Sequence, residues 1–165
     1  MHSSVTILTG PKHSGKSSRL EAWAITRTDV GGLLQRAGAQ GRYLTAIGTD
    51  VTVPLESRDP DEAEIEVGRF RFRQAAFDWA NAHLARVASE RGLATVILDE
   101  IGPLELEGGG IASGARAILA ATPPRVVLVV REGLAEAAAR AFAPYARVIA
   151  AEGWPQAVHR GSSAP

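Results

Sequence analysis

The sequence predicts a three-layer α/β domain, a mostly parallel sheet flanked by helices with one antiparallel hairpin. Three observations carry that expectation. Short, continuous apolar runs at Val5–Thr9, Leu93–Leu98 and Val126–Val130 read as strands buried on both faces. Segments of helical spacing alternate with them, at Ser18–Arg27, Gln74–Arg91, Ile111–Ala121 and Leu134–Phe142. Between the first strand and the first helix lies a glycine-bracketed loop, and the run from Leu93 ends in two carboxylates.

The loop is Gly10-Pro11-Lys12-His13-Ser14-Gly15-Lys16-Ser17, a match to G-x-x-x-x-G-K-[ST] in its required strand–loop–helix context. Gly10 and Gly15 permit backbone angles and close approaches that a side chain would block. Successive N–H groups then turn inward as an anion nest, and the positive end of the following helix, from Ser18 on, points at the same place. Lys16 supplies a mobile charge for the β- and γ-phosphates, and the Ser17 hydroxyl suits one position on Mg²⁺. Lys12 and His13 read as solvent-facing members of the loop.

The helix after the loop carries Leu20, Trp23 and Ala24 on one face and is expected to stop near Asp29–Gly32, at two glycines. Leu33-Leu34-Gln35 is a candidate strand beside the first. Arg42–Gly48 and Val51–Pro54 read as a hairpin around Gly48-Thr49-Asp50. Glu56–Glu66 holds six acidic residues and one arginine, and reads as a mobile, solvated loop. In Gly68–Arg73, arginine and phenylalanine alternate, which places three guanidinium groups on one side of an extended segment. Either this is an edge strand with a solvated face, or one arginine reaches phosphates or a partner. In the long helix, Phe77, Ala80, Leu84 and Val87 form the buried stripe, with Trp79 and His83 off it.

Leu93–Glu100 is the second anchor. A buried parallel strand ending in Asp-Glu delivers carboxylates to the C-terminal sheet edge, where α/β sheets bind ligands. Asp99 is expected to hold Mg²⁺ through water, and Glu100 to orient or deprotonate an attacking water. Gly108-Gly109-Gly110 is either a flexible break or a plain turn. Arg131, at the end of the Val126–Val130 strand, is the candidate phosphate-sensing arginine, with a strand-end salt bridge as the alternative. Arg147-Val148-Ile149 is a last short strand. The domain is drawn over residues 1–153, with a polar tail over 154–165 that ends in Gly161-Ser162-Ser163-Ala164-Pro165.

With both anchors placed, the chain resembles the small P-loop nucleoside-triphosphatases that include the cancer-related nucleoside-triphosphatase and its thermophile homologues. The more specific segment is Ile97-Leu98-Asp99-Glu100-Ile101-Gly102-Pro103-Leu104-Glu105-Leu106, similar to that family's extended Walker B pattern. The Gly32 strand, the Arg42 hairpin and Val67-Gly68-Arg69-Phe70 fall where the family has comparable elements. The likeness covers about residues 4–150. It implies a RecA-like sheet and slow, Mg²⁺-dependent hydrolysis of several nucleoside triphosphates. It would put phosphate binding on Gly10 to Ser17 and the catalytic carboxylates on Asp99 and Glu100. The reading of the residues themselves extends the phosphate site to Ser18, gives the metal to Ser17 and Asp99, and adds Lys16 and Arg131 to catalysis. Glu105 also gains weight, because it follows Asp99 at the family's interval.

Composition bounds the alternatives. The 165 residues suffice for one domain with one sizeable core, and 45% hydrophobic content makes it globular. Eighteen basic residues balance eighteen acidic ones, so no general attraction to nucleic acid or an anionic membrane follows. The absence of cysteine excludes disulfides, thiolate metal sites and a cysteine nucleophile. His2, His13, His83 and His159 show no metal-ligand spacing. No secretory leader is evident and no apolar run approaches the ~20 residues of a membrane helix, so a cytoplasmic protein is expected. A nucleoside or small-molecule kinase and a nucleotide-gated binding module remain as alternatives to the hydrolase. Asp99-Glu100-Ile101-Gly102 matches the D-x-x-G switch of GTPases, but the chain has no N-K-x-D to select guanine. Base preference, partner and oligomeric state have no readable code.

Overall fold

The computed structural model describes residues 4–155. Seven strands form one sheet in the order β4-β3-β2-β7-β8-β1-β9. These are β1 Ser4–Gly10, β2 Val30–Gly38, β3 Gly41–Ala46, β4 Thr52–Pro54, β7 Thr95–Ile101, β8 Arg125–Arg131 and β9 Arg147–Ala150. The five from β2 to β9 in that order run parallel, and β3 and β4 add an antiparallel hairpin at one edge. β5 Glu64–Val67 and β6 Phe70–Arg73 form a separate two-stranded ribbon.

Alternation along the strands sorts the core into two layers. Val126, Leu128 and Val130 face a cluster with Ala80 and Leu84 of α2 (Gln74–Ser89) and Ala115 and Ile118 of α4 (Ala112–Ala121). That cluster also takes Ala138 of α5 (Ala135–Phe142). Val127 and Val129 face the other side, with Leu20 and Ala24 of α1 (Lys16–Ala24) and with Trp154. Helices on both faces of a largely parallel sheet are the three-layer architecture expected. No described helix is long and apolar enough to cross a membrane.

Several expectations are corrected. β2 pairs with β7, not with β1; β7 and β8 stand between them. α1 stops at Ala24, ahead of the two glycines, which lie inside β2. Gly32 is required there by proximity. Its φ is +114°, and a Cβ would sit 1.9 Å from the Ile97 carbonyl oxygen of the neighbouring strand.

His83 is buried, although the helical phase places it off the stripe. Its Nε2 lies 3.1 Å from the Gly32 carbonyl and its Nδ1 2.9 Å from Arg86 Nη2. A guanidinium only donates, so Nδ1 carries the lone pair and Nε2–H donates to Gly32. The ring is therefore neutral, and burial lowers its pKa from the ordinary value.

The acidic stretch is also structured. Glu62 accepts from Arg73 Nε at 2.6 Å, Glu64 pairs with Arg71, and Leu55 just before it is fully buried. Opposite charges fasten the ribbon to itself, where sequence composition alone suggested only solvation. Trp154 is 3% exposed and its indole meets Trp23 edge-on at 5.2 Å, so packing of the domain reaches this residue. The rest of the expected tail, beyond Pro155, lies outside the described residues.

Gly32→Ala is expected to lower folding stability by at least about 2 kcal/mol, through the clash with Ile97 and the unfavourable φ. The midpoint of urea unfolding measures it.

Candidate active site

Register brings the chemistry to one edge. Gly10 at the end of β1 lies beside Arg131 at the end of β8, and β8 also borders β7, which ends in Asp99, Glu100 and Ile101. The phosphate loop leaves β1 and enters α1 at this rim. Gly15 adopts φ +78°, which a side chain would disfavour. His13 also has positive φ, at 61°, and with Pro11 and Lys12 it is exposed. Lys16 Nζ donates to the carbonyls of Gly10 at 2.7 Å and Pro11 at 3.0 Å. The first-turn N–H groups of α1, at Lys16, Ser17 and Ser18, have no partner within the helix and so are available to an anion. Ser14 Oγ is buried without a hydrogen-bond partner among the described residues, which fits a loop built around an external acceptor.

The loop is braced from behind. A Cβ on Gly10 would come within 3.2 Å of Ala151 Cβ, and Arg19 Nη1 donates to the Ala151 carbonyl at 3.1 Å. The segment after β9 thus packs directly beneath the loop.

Ser17 Oγ donates to Asp99 Oδ2 at 2.7 Å, joining loop and β7. The Gln35 backbone N–H donates to the same oxygen at 3.3 Å. Asp99 is 1% exposed, and burial pushes its carboxyl up to about 7 against the opposing pull of the Ser17 bond. The Ser17 hydroxyl and Asp99 carboxylate are hard oxygen donors. No cluster of three His, Cys, Asp or Glu that would cage a metal occurs among the described residues. That pairing fits Mg²⁺, which takes one or two protein oxygens and completes its shell with phosphates and water.

Glu100 reaches the edge by a bulge. Val96 and Leu98 face the α2 side, Ile97 and Asp99 the α1 side, so strict alternation would turn Glu100 into the core. Instead Asp99 pairs with Val129 and Ile101 with Val130, leaving Glu100 as the extra residue. Ile101 takes the core place, and Glu100 is only partly buried. Arg131 Nε donates to Glu100 Oε1 at 3.2 Å, so the candidate arginine and the candidate base meet at the rim.

Glu105 has a structural task. It accepts from the N–H groups of Gly102 at 2.9 Å and Ile111 at 3.3 Å, tying down the segment after β7. Burial raises its pKa, with these donors opposing. A Cβ on Gly110 would fall 2.0 Å from Glu105 Oε1, and Asn81 Nδ2 donates to the Gly110 carbonyl. The triple glycine is thus a packed turn that admits the carboxylate.

Beside the rim lies a cleft of about 420 Å³ lined by Lys12, Glu100 and Arg131. Sequence reasoning missed Gln35 and Arg42 in its wall, because both arrive on β2 and β3 through long-range pairing. Arg69 and Phe70, which also line it, were signalled by the arginine–phenylalanine alternation.

A glycine loop ending in lysine and serine, hydrogen-bonded to a buried aspartate on a second parallel strand, defines a P-loop NTPase fold. The same fold is found in the crystal structure of THEP1 from the hyperthermophile Aquifex aeolicus. This chain matches it with a TM-score of 0.70 and 18% sequence identity, over 94% of this chain and 95% of that one. No family model matches the chain. No curated protein matches it either.

Asp99→Asn keeps an oxygen for Ser17 and Gln35 while removing the buried charge. The unfolded carboxyl ionises near its ordinary value and the folded one near 7. The folded chain therefore holds an extra proton between them and loses stability as pH rises through that window. Asp99→Asn should melt higher than the parent at pH 8, by on the order of 5 °C, with the gap narrowing toward pH 4. Thermal melts at the two pH values measure it.

Proposed function

We propose that the protein hydrolyses nucleoside triphosphates to the diphosphate and phosphate, with Mg²⁺ and with little preference for the base. The observation that carries this reading is the 2.7 Å bond between Ser17 and Asp99, which joins the glycine loop to a buried carboxylate and so supports phosphates on the one and their cation on the other. Gly10 to Ser18 would cradle the phosphates through backbone N–H groups. Lys16, now bound to two loop carbonyls, would exchange them for β- and γ-oxygens. Ser17 and Asp99 would hold Mg²⁺, which when bound neutralises charge on those oxygens.

Glu100 would accept a proton from the attacking water. The water oxygen forms a bond to the γ-phosphorus as the bond to the β–γ bridging oxygen breaks, and that electron pair leaves with the diphosphate. Arg131, next to Glu100, would meet the charge on the transferring group. A second reading, a small-molecule or nucleoside kinase, is favoured by the cleft that opens onto Glu100, where an acceptor could replace water.

Phosphate release from Mg·ATP and Mg·GTP, with no acceptor present, tests the hydrolase. Lys16→Ala should abolish it. Glu100→Gln should bind nucleotide as the parent does while turning over about 10²–10⁴-fold more slowly. Parental turnover by Glu100→Gln would remove the base assignment. ADP formation that requires an added acceptor would favour the kinase.

A further inference from the structure

Apart from the phosphate loop itself, the positive charge around the rim is unevenly matched. Two hollows larger than the cleft are present, and the first shares Arg42 with it. One, of about 750 Å³, lies on the β3–β4 hairpin, where Arg73 pairs with Glu62 and Arg58 donates to the Gln40 carbonyl. The other, of about 790 Å³, lies at the opposite end of the sheet around Leu93 and Pro123 and has an apolar wall.

In the 420 Å³ cleft, both carboxylates are engaged. Glu100 is held by Arg131, and Glu105 by two backbone N–H groups. Lys12 and Arg69 have no carboxylate within ion-pair distance among the described residues. Arg42 reaches Glu56 only at 3.8 Å through Nε.

Arg42 and Arg69 share one aromatic partner. Their guanidinium carbons lie 4.7 Å and 5.0 Å from the centroid of the same Phe70 ring. The two charges are thus at most about 10 Å apart, close to one Debye length at ordinary salt, and repel each other. Cation–π contact with Phe70 offsets part of that cost and holds both groups at the cleft wall. Lys12, Arg42, Arg69 and Arg131 line this concave surface against two carboxylates, and such an excess of positive charge forms a receptor for an anion. The wall also carries Val67, Phe72 and Leu104, with Gln35 as a neutral polar member, and the volume falls in the range of small-molecule sites.

We propose that this cleft binds a second small molecule, an organic phosphate monoester, beside the nucleotide. Its phosphate lies on Arg42 and Arg69, and its body lies against the phenylalanine and leucine wall. The apolar wall selects an organic phosphate over the free ion. The inference rests on the reading of the phosphate loop as the nucleotide site, since only then is this a second site. It deepens that reading by supplying a ligand at the edge where Glu100 stands.

Calorimetric titration of adenosine 5′-monophosphate into the full chain, saturated with Mg²⁺ and a non-hydrolysable ATP analogue, tests it. Saturable binding is expected in the parent, at least tenfold weaker in Arg69→Ala and in Arg42→Ala. Arg69 is exposed, so that variant is expected to fold; its melting temperature checks this. Lys16→Ala without the analogue should still bind the monophosphate. Inorganic phosphate should bind at least tenfold more weakly than the monoester. Four results would overturn the proposal: no saturable binding; equal binding in both arginine variants; loss of binding in Lys16→Ala, which would place the probe in the phosphate loop; or equal affinity for inorganic phosphate. ATP hydrolysis by the parent is measured in parallel. A chain that hydrolyses ATP but takes no monophosphate loses this inference alone.

Discussion

The site depends on one hydrogen bond between residues far apart in sequence, from the Ser17 hydroxyl to the Asp99 carboxylate. A glycine loop on its own is only a turn with available N–H groups. Tied to a second strand, its first helical residues gain a fixed position relative to a buried acid. The bond also opposes the cost of keeping that acid out of water, which desolvation otherwise makes the largest influence on its protonation. Because Gln35 donates to the same oxygen, two strands and a helix converge on a single carboxylate. That convergence explains how β7, two places from β1 in the sheet, still contributes to the loop.

Much of this architecture was legible because the apolar runs are short, continuous and carry few interruptions. Val126–Val130 has no polar residue to confuse its reading, and Gly10–Ser17 has a spacing that few other structures require. Strand order was less legible. Leu33–Gln35 looks the same in sequence whether it lies beside β1 or β7; only the contact of Gly32 with Ile97 distinguishes them. The glycine pair that suggested a helix stop instead marks where two backbones approach closely. Helix phase failed at His83 for a related reason: its partner is a strand carbonyl, and an imidazole satisfied at both nitrogens can be buried where an apolar stripe does not reach.

The candidate site divides in the same way. Lys16, Ser17, Asp99, Glu100 and Arg131 were readable because each sits at a strand end or in a recognisable loop. Arg42 and Gln35 were not, because nothing local distinguishes a strand residue that happens to face the rim. The bulge at Glu100 illustrates what spacing cannot express. Two adjacent carboxylates on a regular strand would face opposite layers, and one added residue resolves this by giving Ile101 the core position. Glu105 then secures the segment that follows, so the displaced backbone is held by two hydrogen bonds beyond the strand.

The packing of Ala151 under Gly10, with Arg19 on the Ala151 carbonyl and Trp154 against Trp23, has a temporal consequence. The phosphate loop is translated some 140 positions ahead of the residues that lay its floor. A nascent chain still short of that point has the loop's residues without their support. Competence to grip a ligand is therefore a late event in biosynthesis, and clipping the polypeptide ahead of residue 147 would disarm a loop more than a hundred residues away.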